Sequence, residues 1–418
     1  MRSAVGTFTS PAATGTQEIV VSLCGLAPKA VIIWGTQQTA AGVATKVHFS
    51  IGFATSSTNR AAIACNEDLA LTLDDDRYHD ITAVIVTTSS VDFSPATVLE
   101  KADLDSFSAN KFTLDWETVD AAAIRYHYIA IAGADVEANV VQFIAQTVDA
   151  TSQDVPHGLT GGAPTAFFGI SAANIAAPPS SDGAGQMDMT IMASDMTNDQ
   201  IAGVGAAGGT ASRMQLALAL GHSQPSGILE KATITAVDAT NVTFLWSVAD
   251  TAEYYYALFL RGVNAEVGTY TSPATPGNVT ITPTGFNPNL FVTWGFMGTT
   301  SAVQESDSRL TFGASDGTNH AAGGLLVESG LGTADKFDSS TNVLSVYDHA
   351  QALEETATAT IVDGDVTVVF GSAVAAANEF NYLILGPPET EVPGAPPDIP
   401  IAGPAGTRVE IVAWVPVE

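Results

Sequence analysis

Apolar residues in this chain come in short runs bounded by turn residues, without the three-to-four spacing of an amphipathic helix. AVIIW at residues 30–34, AFFGI at 166–170 and LFVTW at 290–294 each follow a Gly-x-x-Pro turn, at Gly25–Pro28, Gly161–Pro164 and Gly285–Pro288. Gly and Pro end one strand in a tight turn, and β-branched or aromatic residues fill the next. A longer pattern closes each unit. VTFLWSVADTAEYYYALFLRG at residues 242–262 is echoed at 112–133 and 366–386. In these stretches an aromatic (Trp116, Trp246, Phe370) precedes a glycine (Gly133, Gly262, Gly386) by 17, 16 and 16 residues. The final runs, 126–132, 254–260 and 380–385, are apolar at almost every position. That predicts strands covered on both faces.

Further markers recur in the same order. GTFTSP at residues 6–11 returns as GTYTSP at 268–273, with a weaker version around 140–143. Thr-Asn closes a loop at Thr58-Asn59, Thr197-Asn198 and Thr318-Asn319. Asn tolerates positive φ and caps its own turn, so these pairs read first as turn chemistry. The sharper reading makes them triplicated ligand contacts on exposed loops. Leu-Glu stands at 99–100, 229–230 and 353–354, each leucine 17 residues before the closing aromatic.

The chain is therefore a repeat protein. It is expected to be all-β: three tandem homologous β-sandwich repeats, Ig-like or jelly-roll-like, of about eight strands each. The repeats span 1–138, 139–265 and 266–386. Their connections are too short for free swinging. A Pro-rich arm, 387–418, follows, with seven prolines in residues 387–404. As polyproline helix it would reach about 55 Å. It ends in strand patterning, with Val409, Ile411, Ala413, Val415 and Val417 alternating and Trp414 between them. A lone strand on a stiff arm needs a sheet edge to pair with, so Val409, Ile411, Ala413, Trp414 and Val415 are read as an assembly arm.

Composition adds exclusions. Of the 418 residues 46% are hydrophobic and 14% charged, a balance suited to short strands. Forty-four Asp plus Glu against 14 Lys plus Arg give −30. That surface repels phosphate backbones and anionic membranes, so neither nucleic acid nor membrane is an expected partner. No apolar segment follows Met1-Arg2-Ser3 as a signal peptide requires, so synthesis in a cytoplasm without secretion is expected. Cys24 and Cys65 are read as two buried free thiols.

Candidate chemistry is sparse. The seven histidines, at 48, 79, 127, 157, 222, 320 and 349, show no metal spacing and do not align across repeats. Arg77-Tyr78-His79-Asp80 is the most site-like cluster, and a solvated strand edge is its simpler reading. The Asp-rich fragments at 73–76, 181–183, 315–317 and 363–365 lack the alternating carboxylates of a calcium loop and read as hairpin turns. Ca2+ would suit so acidic a chain, but no site can be read, and no other cofactor is expected. Glu100, Glu230 and Glu354 recur singly, on what reads as an exposed strand, and supply no carboxylate pair for glycoside cleavage. Trp34 with Trp294, and Trp116 with Trp246, occupy matching positions and read as core.

The Gly-x-x-Pro strands (25–34, 285–294), the aromatic closing hairpins, the acidic Ala/Gly/Thr-rich composition and the Pro-rich arm resemble virion structural proteins of tailed bacteriophages. The resemblance implies a non-enzymatic protein, first a decoration or accessory protein on the outer head. Its partners would be the major capsid protein or neighbouring copies. The alternative is a tail fibre or lectin-like adhesin binding host surface glycan through the Thr-Asn loops. An enzyme acting on surface polysaccharide ranks last.

Overall fold

Among the described residues of the computed structural model every regular element is a β-strand, as the short apolar runs predict. The described residues are 1–67, 76–93, 96–181, 186–207, 210–224, 227–296, 307–328, 335–348, 350–373 and 377–388. The arm residues from 389 onward, Val409–Val415 among them, lie outside this set, as does His349.

The strands form three sandwiches in tandem, each a broad inner sheet facing a four-stranded outer one. All pairings are antiparallel, and each sandwich holds more strands than the eight expected. The closing strands Arg125–Ala132, Tyr254–Arg261 and Glu379–Gly386 lie inside their inner sheets. Each has the opening strand of its repeat (Arg2–Thr9, Glu137–Ile144, Asn264–Thr271) on one side and a Gly-x-x-Pro strand on the other. Alternation along them serves two cores. Tyr126, Tyr128 and Ala130 face their own sandwich, whereas Ile129 and Ile131 face a core that all three inner sheets share. Tyr255, Ala257 and Phe259 divide in the same way from Leu258 and Leu260, and Phe380, Tyr382 and Ile384 from Leu383 and Leu385. This double burial is why the runs are apolar at almost every position.

In the shared core, rings from different repeats touch in series. Phe53 meets Phe168 at 6.3 Å, Phe168 meets Phe312 at 5.8 Å, and Phe312 meets Trp34 edge-on at 4.9 Å. Residues 1–388 thus form one compact unit. The far rim of each inner sheet is a short strand: Asp76–Asp80, Thr210–Leu216 and Asp335–Ser339. Two rims are covered by a strand from another repeat. Ser180–Ser181 pairs with Asp76–Asp80, and Gly42–Thr45 pairs with Asp335–Ser339.

Differences between the repeats are compensated locally. Trp116 Nε1 donates to Gln17 Oε1 (3.0 Å) and Trp246 Nε1 to Gln153 Oε1 (2.9 Å). In the third repeat Phe370 has no donor, and Val279 stands where the glutamine would be. The glutamates need two corrections. Glu100 and Glu230 are fully buried, not on an exposed strand. Their counterpart is Glu355, also buried, and not Glu354. The strands at 96–108 and 227–237 each carry a bulge, at Asp105 and Thr235, that the strand Leu353–Val362 lacks at that place. The missing residue shifts the register by one, so equal spacing in sequence mispairs the third repeat. Cys24 is also corrected: it is exposed, and only Cys65 is buried, with neither in a disulfide.

Candidate functional site: the seams between repeats

The Thr-Asn loops lie where one repeat meets the next. An opening strand is the edge of its sheet and carries N–H groups without a ladder partner, which need another acceptor. Asp195 Oδ2 accepts from Val267 N, and Asp316 Oδ2 from Val5 N, each at 3.0 Å. In the first repeat Ser56 holds the aspartate's place, and Asn59 Oδ1 takes over, accepting from Val140 N at 3.0 Å. Asn59 Nδ2 also donates to Asn139. The contacts run from repeat 1 to 2, 2 to 3 and 3 to 1, so the three sandwiches close a ring.

The turn chemistry differs from expectation in one detail. Asp195 and Asp316, not the asparagines, cap these turns. Asp195 Oδ1 accepts from Thr197 N (2.9 Å) and Asn198 N (2.6 Å), and Asp316 Oδ1 from Thr318 N (3.0 Å) and Asn319 N (2.7 Å). Positive φ falls on Met196 (67°) and Gly317 (88°). Thr58, Thr197, Asn198, Thr318 and Asn319 are exposed, and Asn59 is half-buried in its seam.

Matching positions of the rim strands build the polar part of each seam. His79, Gln215 and Asp338 stand at one register position, and Arg77, Arg213 and Lys336 stand two residues earlier. Arg77-Tyr78-His79-Asp80 is therefore not a solvated edge. Ser180–Ser181 covers it, and Arg77, His79 and Asp80 are buried. At the seam of repeats 1 and 2, His79 Nδ1 is 2.7 Å from Tyr256 Oη and its Nε2 is 2.7 Å from Ser180 Oγ. At the seam of 2 and 3, Gln215 donates to Glu379 O (3.1 Å) and accepts from Phe296 N (3.1 Å). At the seam of 3 and 1, His127 Nε2 lies 3.1 Å from Asp338 Oδ2, and Arg125 also pairs with Asp338.

The first seam holds the densest charge. Arg77 meets Asp188 at 2.6 Å, and His222 lies 3.6 Å from Asp188 and 3.1 Å from Glu253. Beside them Tyr255 donates to Glu230 at 2.5 Å. Burial opposes charge on His222, but Glu253 and Asp188 overcome it and raise its pKa to about 10. Burial, then the Glu253 charge, pushes Glu230 up to about 8. Burial also pushes Asp188 upward, against the opposing pull of His222 and Arg77. Burial pushes Glu253 upward too, but His222, Arg77 and the Thr251 hydroxyl together outweigh it and hold its carboxyl low.

This arrangement has a pH signature. Glu230 and His222 bind protons more tightly folded than unfolded. Their stabilisation is full below their ordinary values of about 4.5 and 6.5, and it is lost as pH rises through about 8 and 10. The thermal midpoint is expected to fall between pH 6 and pH 10. Glu230→Gln, which keeps a neutral partner for Tyr255, should flatten the lower part of that fall. A midpoint independent of pH in the unaltered protein would refute the assignment.

Chemically the cluster joins repeats and does not expose a reactive group. Arg77, Asp188, His222, Glu230 and Glu253 are all buried. Clefts near the seams, of about 430 Å³ beside Glu137 and Thr160 and about 470 Å³ beside Thr39 and Lys336, do not open onto it. Among the described residues no three His, Cys, Asp or Glu side chains are grouped to hold a metal. Sequence reasoning missed Asp188, His222 and Glu253 because they lie far apart in the chain and lack counterparts in the other repeats.

No family model matches the chain, and neither does any curated protein. Among solved structures, the major capsid protein of Sulfolobus turreted icosahedral virus aligns at 10% identity over 61% of this chain and 95% of its own, with a TM-score of 0.19. A second structure, of the virus itself, aligns at 9% identity over 61% of this chain and 90% of its own, with a TM-score of 0.20.

Proposed function

We propose that the chain is a non-enzymatic virion structural protein, and specifically a decoration or accessory protein on the outer surface of the head. The cyclic closure of three homologous sandwiches within one chain carries this reading. Such a ring presents three related faces at once, and so fits over a position where three capsid subunits meet. Charge supports it. Of only 14 basic residues, Arg77, Arg213 and Lys336 are spent inside seams. Nine acidic side chains, Asp188 and Glu230 among them, are also buried among the described residues, and the large excess of Asp and Glu still leaves an acidic outer surface, which suits a basic patch on a major capsid protein. The arm at 387–418, with Val409, Ile411, Ala413, Trp414 and Val415, would add a strand to a neighbour.

Cryo-electron microscopy of the particle tests this. Three-lobed density on the shell is expected, while absence of the chain from every purified particle would sink the reading. Density at the tail tip would favour the adhesin, for which the exposed tips at Thr58, Thr197 and Thr318 are the glycan candidates. Because Asn59 is used inside a seam, those threonines are the positions to replace in an adsorption assay.

A further inference from the structure

The three seams are not equally tied. Residues 133–136 join repeats 1 and 2, and 262–263 join repeats 2 and 3, whereas no linker crosses the seam of 3 and 1. That seam alone depends entirely on non-covalent contacts. It is also where two fully buried histidines, His48 and His127, face the neighbouring repeat. We propose that the seam between repeats 3 and 1 is an acid-operated latch, which opens on acidification before the two tethered seams.

The charge balance carries the argument. His127 is enclosed by Thr7 on the opening strand (Nδ1 to Oγ1, 2.9 Å), Trp34 on the adjoining strand, and Asp338 and Arg125. The single carboxylate is already paired with Arg125, so a proton on His127 leaves one uncompensated positive charge in a dry interior. His48 has Lys336 beside it, with Asn66 on the neighbouring strand, and Lys46 lies near Lys336. Asp335, on the same strand as Lys336, is also buried there. A proton on His48 adds a second positive charge next to the first. At the seam of 1 and 2 the place of His48 is taken by Asp188, opposite Arg77, so the corresponding cation is neutralised. His222 there has two carboxylates that hold it charged against burial, while His79, also buried, is held by Tyr256 Oη and Ser180 Oγ. The seam of 2 and 3 has neutral contacts through Gln215, Asn381 and Ser308, with Asp195 on Val267 N and the buried Arg213 as its charged groups, and no histidine among them.

Burial and the neighbouring cations hold His127 down to about 3 and His48 well below its ordinary value. The sign follows. Each histidine stabilises the closed seam above about pH 6.5, and that stabilisation is lost as pH falls toward the closed-state value. Opening exposes both rings to water, so each raises the opening equilibrium by about tenfold per pH unit, and the pair by about a hundredfold. Asp316, which caps Val5 at this seam, has a counterpart in Asp195 at the seam of 2 and 3, so that contact does not distinguish the two, whereas Asp338 has the neutral Gln215 in its place there.

Amide hydrogen exchange and solution X-ray scattering on the full chain from pH 7.5 to 4 test this. Protection in Arg2–Thr9 and Asp335–Ser339 is expected to fall before that in Asn264–Thr271 and Thr210–Leu216, with a longer maximum dimension and retained β-sheet circular dichroism. The double variant His48→Leu/His127→Gln, whose glutamine can keep both hydrogen bonds, should open at least one pH unit lower. If the double variant fails to fold, each single variant should halve the pH slope. Simultaneous loss of protection at all three seams, or an unchanged midpoint in the variants, would overturn the latch.

Discussion

Replacing Arg77 by alanine is expected to destabilise the chain by about 3–5 kcal/mol, the range for removing one partner from a buried ion pair. Arg77 and Asp188 are 2.6 Å apart, with side chains 5% and 1% exposed, so water cannot stand in for the guanidinium. The loss leaves Asp188 among Glu253 and Glu230 with His222 as the compensating charge. The double variant Arg77→Met/Asp188→Leu should recover most of the loss, because it removes the buried charge together with its partner. Urea unfolding of Arg77→Met, Asp188→Leu and the double variant makes this a double-mutant cycle. A loss in the double variant equal to the sum of the two single losses would show that the pair is not coupled.

Trp34→Ala should cost a similar amount, about 3–5 kcal/mol, for a different reason. Its indole is wholly buried where repeats 1 and 3 meet, edge-on to Phe312 at 4.9 Å and 5.4 Å from His127. Truncation leaves a cavity bounded by two repeats, and neither can collapse into it without moving the other. Because the inner sheets share one core, the variant should unfold in a single transition at a lower midpoint. Calorimetry decides between this and an independent first sandwich. A separate early transition confined to residues 1–138 would mean that the shared core does not couple the repeats.

The all-β class, the threefold repetition and the double burial of the closing strands were legible in the sequence. Each is set by local periodicity and turn chemistry, which a linear chain displays directly. Gly-x-x-Pro turns, runs such as 254–260 and the matched tryptophans needed no partner to be recognised. The Leu-Glu marker shows where that stops. Counting residues aligned Glu354 with Glu100, yet the bulges at Asp105 and Thr235 put Glu355 in the equivalent place. A bulge is a backbone event with no residue code of its own.

Closure and the seams were decided by tertiary structure alone. Whether Asp195 and Asp316 cap only their own turns or also the edge of the next sheet depends on where that edge lies. The solvated reading of residues 77–80 failed because the strand that covers them comes from residues 180–181, about a hundred positions away. Arg77, Asp188, His222 and Glu253 are isolated polar residues until folding removes the water between them. Sequence fixes each residue's hydrogen-bonding capacity and charge. Only packing decides which neighbour satisfies it, because burial makes an unpaired charge costly and so selects the partner.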